Sequence, residues 1–292
     1  MINLRHEIKQ GIVQVNLDKH RWYEVEQDNG SFNYYPSVTS ILDEYPKGYG
    51  FKKYLMNLAD EAEGKQILNE AGDRGSKVHW GIEQLLNKQE LHFIDIPFGF
   101  NDSFTAEDWK YILSFINWYE DYKPITLSIE QNIIEPYLEY GGTVDYECII
   151  DGVHCNEPYR NENILIDWKT SSQIHDSYKI QLTAYAYAWP RPIDRIKIVK
   201  LGHPYKRGYQ IWECKYDEAI ETYLPLFKAC KTIFDFNHKD DVPRFMECPE
   251  RLILEEKDAK KRHETENISR SEGKDKDGEK IGKGLPPVAG LL

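Results

Sequence analysis

"NILIDWKTSS", Asn163–Ser172, runs a short apolar segment into an Asp-Trp-Lys triplet and then into a Thr/Ser cluster. The polar stretch "YRNEN" precedes it, so the apolar run is bounded on both sides and reads as a buried strand ending in a loop. Side chains alternate along a strand, which puts Leu165, Asp167 and Lys169 on one face and Ile164, Ile166 and Trp168 on the other. A carboxylate and an ammonium at the end of a buried strand are costly unless they are paired or given a ligand.

The same triplet occurs at Asp108–Lys110, and there it reads differently. In "TAEDWKYILSFINWYEDY", residues 105–122, the apolar positions Trp109, Ile112, Leu113, Ile116 and Trp118 recur at three- and four-residue spacing, the pattern of an amphipathic helix. Residues two apart on a helix point to nearly opposite sides, so Asp108 and Lys110 do not share a site. Only the second copy brings acid and lysine together.

Working outward, "IVQVNL" and "RWYEVEQDNGSFNYYP" read as strands around an Asp-Asn-Gly turn. Helical patterns follow behind a Pro/Ser cap in "PSVTSILDEY", through "GFKKYLMNLADEAEGKQILNEA" and "DRGSKVHWGIEQLLNKQ". From residue 125 the pattern turns to strands, "ITLSIEQNIIEPYLEYGGTVDYECIID" and then "NILIDWK". The helix "SYKIQLTAYAYAW", strands near "DRIKIVKLGH" and "GYQIWECKY", and the helix "DEAIETYLPLFKACKTIFDF" complete it. The expected fold is α/β, a mixed central sheet flanked by helices, with an N-terminal strand and helical cover over 1–122 and a core over 123–255. Residues 256–292 are charged with both signs and poor in apolar residues until "LPPVAGLL", which predicts a disordered, passive tail; the alternative is that "LPPVAGLL" is a short docking peptide for a replication or repair partner.

A chain of 292 residues with 40% hydrophobic and 13% aromatic content can bury a sizeable core. No apolar run approaches the roughly 20 residues of a membrane span, and "MINLRHEIKQ" lacks the apolar core of a signal peptide, so a soluble intracellular protein with no membrane partner is expected. Cys148, Cys155, Cys214, Cys230 and Cys248 form no C-x-x-C pair and read as ordinary core residues. The net charge of −12 argues against a nucleic-acid partner only weakly, because a metal site gathers acids locally and binding depends on where charge lies.

Four clusters stand beside Asp167 and Lys169, and each has two readings. In "GGTVDYECII", Thr143, Asp145 and Glu147 alternate against Val144, Tyr146 and Cys148; Asp145 projects towards Asp167 from a neighbouring strand, or the face is the solvated side of an edge strand. Gly75 and His79 lie one helical turn apart, as a close-approach site with a metal or phosphate ligand, or as an ordinary surface turn. Gln181 and Tyr185 share a helix face, which by itself marks only an amphipathic helix. Glu130 is an acid inside an apolar strand, either salt-bridged or part of a site.

Their order along the chain narrows the choice. Gly75-x3-His79, Glu130, Gly142-x2-Asp145, Asp167-x-Lys169 and Gln181-x3-Tyr185 resemble the RecB-like branch of the PD-(D/E)XK nuclease superfamily, and G-x3-H and Q-x3-Y each occur once. "YYPSVTSILDEYP", "DRGSKVHWGIEQLL" and "LIDWKTS" are similar to the mitochondrial genome maintenance exonuclease group and its phage and bacterial relatives, over roughly residues 35 to 235. Val144 stands where the superfamily's name has proline, and the cysteines of iron-sulfur relatives are missing, so no cluster is expected.

Phosphodiester hydrolysis needs a water made nucleophilic near neutral pH and a place for developing charge. Mg²⁺ prefers oxygen ligands, which suits Asp145, Asp167 and the Trp168 carbonyl. The resemblance implies that His79 completes that shell, favouring Mn²⁺, and that Lys169 positions the attacking water. It implies Glu130 as an acid behind the first ligands or at a second metal, and substrate contacts or bracing from Gly75, Thr170, Gln181 and Tyr185. Trp80 and Trp168 are candidate base-stacking surfaces.

The resemblance thus implies a Mg²⁺- or Mn²⁺-dependent DNA exonuclease acting on single-stranded or free-ended DNA in replication, recombination or repair, in a bacterial or phage-infected cytoplasm. An endonuclease of the same superfamily and a non-catalytic DNA-binding subunit are the alternatives.

Overall fold

The computed structural model describes residues 5–8, 11–17, 20–46, 48, 61–154, 157–202, 204 and 207–243. The expected tail over 256–292, the division near residue 255 and the first part of the helix expected from residue 50 lie outside the described residues.

Two sheets form. The first is an antiparallel meander of β1 (Arg5–Ile8), β2 (Ile12–Leu17), β3 (His20–Glu26) and β4 (Phe32–Pro36). Its β3–β4 turn falls on Asp28-Asn29-Gly30, where Gly30 adopts φ +76°, a conformation with little steric cost for glycine. The second sheet has the order β5 (Ile125–Glu135), β6 (Tyr140–His154), β7 (Glu157–Lys169), β8 (Arg195–Leu201), β9 (Tyr209–Lys215). Only β7 and β8 are parallel, and the remaining neighbours are antiparallel, so the sheet is mixed.

Five α-helices are described: α1 (Val38–Ile41), α2 (Glu61–Leu86), α3 (Ala106–Tyr122), α4 (Asp176–Ala188) and α5 (Tyr216–Asn237). Helix α4 is the crossover that parallel β7 and β8 require. Leu165 packs on the face covered by α4 and α5, beside Ile180, Leu182 and Phe227. Ile164, Ile166 and Trp168 pack on the opposite face against Val78 and Ile82 of α2 and Phe115 and Trp118 of α3. The alternation read from "NILIDWK" therefore assigns the two cores correctly.

Helix α3 explains the other Asp-Trp-Lys. Thr105 caps the helix, its side chain accepting from the Asp108 backbone N–H at 3.1 Å, while Asp108 Oδ2 accepts from the Thr105 N–H and hydroxyl at 2.8 Å each. This reciprocal box satisfies helix-end donors. Asp108 is consequently buried, while Lys110 faces solvent.

Strand β6 is interior, hydrogen-bonded to β5 and β7 on its two sides, so the edge-strand reading of its polar face is wrong. Glu147 on that face is fully buried. Burial would raise its pKa, but hydrogen bonds from Arg191, Trp189 and Asn163 together hold it below the ordinary glutamate value. Glu147 is thus a structural ion pair and takes no part in the site two residues away.

A convergent site at the end of β7

β7 ends where the chain leaves the sheet for α4, and the proposed chemistry gathers there. The β6–β7 ladder ends at the pair Tyr146↔Ile166. One step further the Asp145 carboxylate takes over, accepting from the Trp168 backbone N–H at 2.9 Å. Asp167, 1% exposed, sits beside it, and Lys169 Nζ approaches both of its oxygens, at 2.9 Å from Oδ1 and 2.8 Å from Oδ2. Only the Oδ1 contact has hydrogen-bond geometry; Oδ2 is an ion-pair contact whose remaining acceptor capacity is unsatisfied.

Helix α2 delivers His79 to the same place. Its Nε2 lies 3.0 Å from the Trp168 carbonyl oxygen and its Nδ1 lies 3.5 Å from Asp145 Oδ2. A carbonyl only accepts, so this contact has Nε2 as donor and turns Nδ1 towards Asp145, the orientation of a metal-ligating histidine.

Glu130 arrives from β5 through a local distortion. It lies between the register pairs Ile129↔Tyr146 and Gln131↔Val144 with φ +47°. A non-glycine residue held there costs about 1–3 kcal/mol, and such strain clusters at functional sites. Burial, then Asp145, Glu83 and Asp167, push the Glu130 carboxyl well above its ordinary pKa. Asp167 is raised by burial and by Asp145, with Lys169 opposing. Burial works against the Lys169 ammonium, but Asp167 and Asp145 outweigh it and hold its pKa above that of an ordinary lysine.

Donor atoms of His79, Glu130 and Asp145 lie within 4.8 Å of one another. The shell expected from sequence contained His79, Asp145, Asp167 and the Trp168 carbonyl. In the structure Glu130 joins His79 and Asp145, Asp167 is held by Lys169, and the Trp168 carbonyl is bonded to His79. One imidazole and two carboxylates form a set suited to Mn²⁺ and tolerable to Mg²⁺. Burial first and then the neighbouring carboxylates raise the Glu130 pKa, and a cation bound there would relieve the repulsive part.

The groups line a cleft of two lobes, about 890 Å³ and 390 Å³, that share His79, Glu83, Glu130, Lys169 and Gln181 in their walls. Gly75 and Thr170 border the wider lobe together; a Cβ at Gly75 would sit 3.6 Å from Thr170 Oγ1, an ordinary contact, so packing within the protein does not demand glycine. Gln181 faces both lobes and donates from Nε2 to the Tyr185 hydroxyl at 3.0 Å. Tyr185 itself is only 4% exposed, which fits bracing better than direct substrate contact.

Of the two candidate stacking residues, Trp168 changes role and Trp80 does not. Trp168 is 1% exposed and packs edge-on against Phe115 and Trp118, so it belongs to the core and offers no stacking surface. Trp80 is half-buried and borders the wider lobe, where Phe98 and Phe100 also stand. The sequence reading does not single out Glu83, Arg21 or Tyr178. Glu83 had one available signal, its i+4 spacing from His79 on the same helix face; the ring centroid of Tyr178 lies 4.9 Å from Lys169 Nζ and had none.

Gly142 matters for packing. A Cβ there would lie 2.4 Å from Tyr185 Cε1 and 2.9 Å from Cδ1. Gly142→Ala is expected to destabilise the fold by about 1–3 kcal/mol, because the ring is wedged against strand backbone in a filled core. A urea midpoint unchanged from wild type would show that Tyr185 has room to move.

No family model and no curated protein matches the chain. Among solved structures it is similar to an alkaline exonuclease (LHK-Exo) from Laribacter hongkongensis, with 12% identity and a TM-score of 0.32 over 70% of this chain and 92% of that one. The complex of LHK-Exo with dAMP gives 13%, 0.33 and the same coverages. SSO0001 gives 16% identity and a TM-score of 0.27 over 49% of this chain and 64% of that one. Likeness at this level assigns no family.

Proposed function

We propose that this chain is a divalent-metal-dependent nuclease that hydrolyses DNA phosphodiester bonds, working as an exonuclease on single-stranded or free-ended DNA. The observation that carries the reading is the convergence of His79, Glu130 and Asp145 on one point, with the Asp167–Lys169 pair beside it. These residues come from α2, β5, β6 and β7, and Glu130 adopts φ +47° beside two aspartates.

In this reading His79, Glu130 and Asp145 would hold Mg²⁺ or Mn²⁺, and Asp167 stands beside them, paired with Lys169. Such an ion makes a bound water acidic enough to act near neutral pH and offsets charge on phosphoryl oxygens. Lys169 orients the attacking water and stabilises negative charge as it develops, while Asp167 fixes the ammonium in place. Gln181, braced by Tyr185, and Thr170 border the path of the scissile strand. Arg21 borders the narrower lobe and Arg74, paired with Glu107, the wider one, so a chain of net charge −12 still has guanidinium groups in the cleft walls.

The test uses end-labelled oligonucleotides, single- and double-stranded, and single-stranded circles, with Mg²⁺, Mn²⁺ or EDTA. Expected are release of labelled product from linear substrate, inhibition by EDTA and resistance of circles. Cleavage of circles would move the assignment to an endonuclease. No cleavage with either metal would overturn it.

A further inference from the structure

A second convergence of ligand-type side chains lies apart from the cleft, where β3 begins and α5 ends. His20 opens β3, His238 follows the last residue of α5, and Asp241 lies three residues on. One donor atom from each comes within 4.8 Å of the others. We propose that His20, His238 and Asp241 form a structural site for a borderline divalent cation of the Zn²⁺ type, clasping β3, a strand that borders the cleft, to the end of α5, the last described helix.

The donor geometry is close to what such an ion needs. His238 Nδ1 lies 2.7 Å from Asp241 Oδ2, and His20 Nε2 lies 3.9 Å from the same oxygen. Tetrahedral ligands at Zn–N and Zn–O distances near 2.0 Å stand about 3.3 Å apart, and the two observed separations bracket that value. The imidazole rings are 4.3 Å apart at 68°, and the Phe234 ring contacts both, at 5.2 Å from His20 and 4.6 Å from His238. This aromatic floor fixes both rings.

Behind the ligands stands a supporting carboxylate. Glu44, in the turn after α1, lies 3.1 Å from His238 Nε2 through Oε1 and is itself held by Asn237 Nδ2 at 3.3 and 3.2 Å. A histidine that donates through one nitrogen to a carboxylate and turns the other to a metal is the usual orientation in zinc sites. With carboxylates on both nitrogens, His238 either carries two protons or has one replaced by a cation. Two imidazoles with one carboxylate suit Zn²⁺ better than Mg²⁺, and half-exposed Asp241 leaves the fourth position open to water.

The clasp joins residues more than 200 positions apart, and its consequence reaches the cleft. Arg21 and Tyr23, next along β3 from His20, border the narrower lobe, and the Tyr23 hydroxyl is 2.9 Å from Thr143 Oγ1 on β6.

The test uses the full chain, stripped with EDTA and dialysed, in an Asp145→Asn background so that the cleft does not compete for metal. Calorimetric titration with Zn²⁺ is expected to find one equivalent. At a concentration about a hundredfold above Kd, Tm is expected to rise by roughly 5–10 °C. Co²⁺ in its place is expected to give the visible absorption of a four-coordinate site. Adding His238→Ala should abolish the equivalent, the Tm rise and the Co²⁺ spectrum. Asp241→Asn, at a half-exposed position, should raise the Kd for Zn²⁺ at least tenfold and so cut the Tm rise at the same metal concentration to about half or less; it serves if His238→Ala does not fold. Absence of Zn²⁺ binding in the Asp145→Asn protein overturns the proposal, as does an equivalent that survives both substitutions; the cluster is then an imidazolium held between two carboxylates.

Discussion

Lys169→Ala is expected to slow phosphodiester cleavage by on the order of a hundredfold or more, the loss typical when a group acting on the nucleophile or on developing charge is removed. Nζ is held within 3 Å of both Asp167 oxygens, so the ammonium is already in place before substrate arrives. Removing it leaves a buried carboxylate without its cation. Asp167 already has a raised pKa, so it takes up a proton and the fold loses less than a permanently charged group would cost it. DNA binding is expected to persist, because Lys169 is one of several cationic side chains, Arg21 and Arg74 among them, that border the cleft. Lys110→Ala is the control. That lysine occupies the same position in an identical tripeptide, but it is exposed on α3 and its loss should leave the rate within about twofold and stability within about 0.5 kcal/mol. Equal loss in both variants, or loss in neither, would refute the assignment of Lys169.

Asp145→Asn is expected to abolish measurable cleavage, a loss on the order of a thousandfold. A metal supplies several kcal/mol of charge stabilisation, and each 1.36 kcal/mol is tenfold in rate. The asparagine oxygen can still accept from the Trp168 N–H, so the strand end keeps its hydrogen bond while the site loses one negative charge. Asp145 is a cause of the raised pKa at both Glu130 and Asp167, so the metal-free variant should be as stable as wild type or slightly more so. Mn²⁺ titration separates the cases: wild-type affinity in Asp145→Asn would remove that residue from the ligand set. Asp167→Asn should also stop cleavage, through its hold on Lys169. A smaller effect on metal affinity than that of Asp145→Asn is expected, because its oxygens are engaged by the ammonium.

Much of the arrangement was legible in local pattern. The bounded apolar run before Asp167 predicted a strand end, and two-residue alternation separated Asp167 and Lys169 from Trp168 without knowledge of any neighbour. Helical spacing placed Gln181 with Tyr185 and removed Asp108 and Lys110 from consideration. Less legible were residues whose role depends on what packs against them. Glu147 alternates with Asp145 as a possible ligand would, yet Arg191 and Trp189 claim it. Trp168 has the ring of a stacking residue and is enclosed by Phe115 and Trp118.

The sequence by itself determined most of the strand and helix pattern from "IVQVNL" onward and the strand faces of Asp145, Asp167 and Lys169, because the 2.0- and 3.6-residue periods are properties of the local backbone; it did not show β1, the continuity of α2 or the start of β7 at Glu157. Only the tertiary structure decided which carboxylates meet. Glu130 reaches Asp145 through a residue of left-handed φ in β5, Glu83 comes near Glu130 through the docking of α2, and His20 reaches His238 across more than 200 residues. Those meetings depend on register, sheet order and helix packing, which arise from contacts between segments far apart in the chain and leave no mark on the spacing within any one of them.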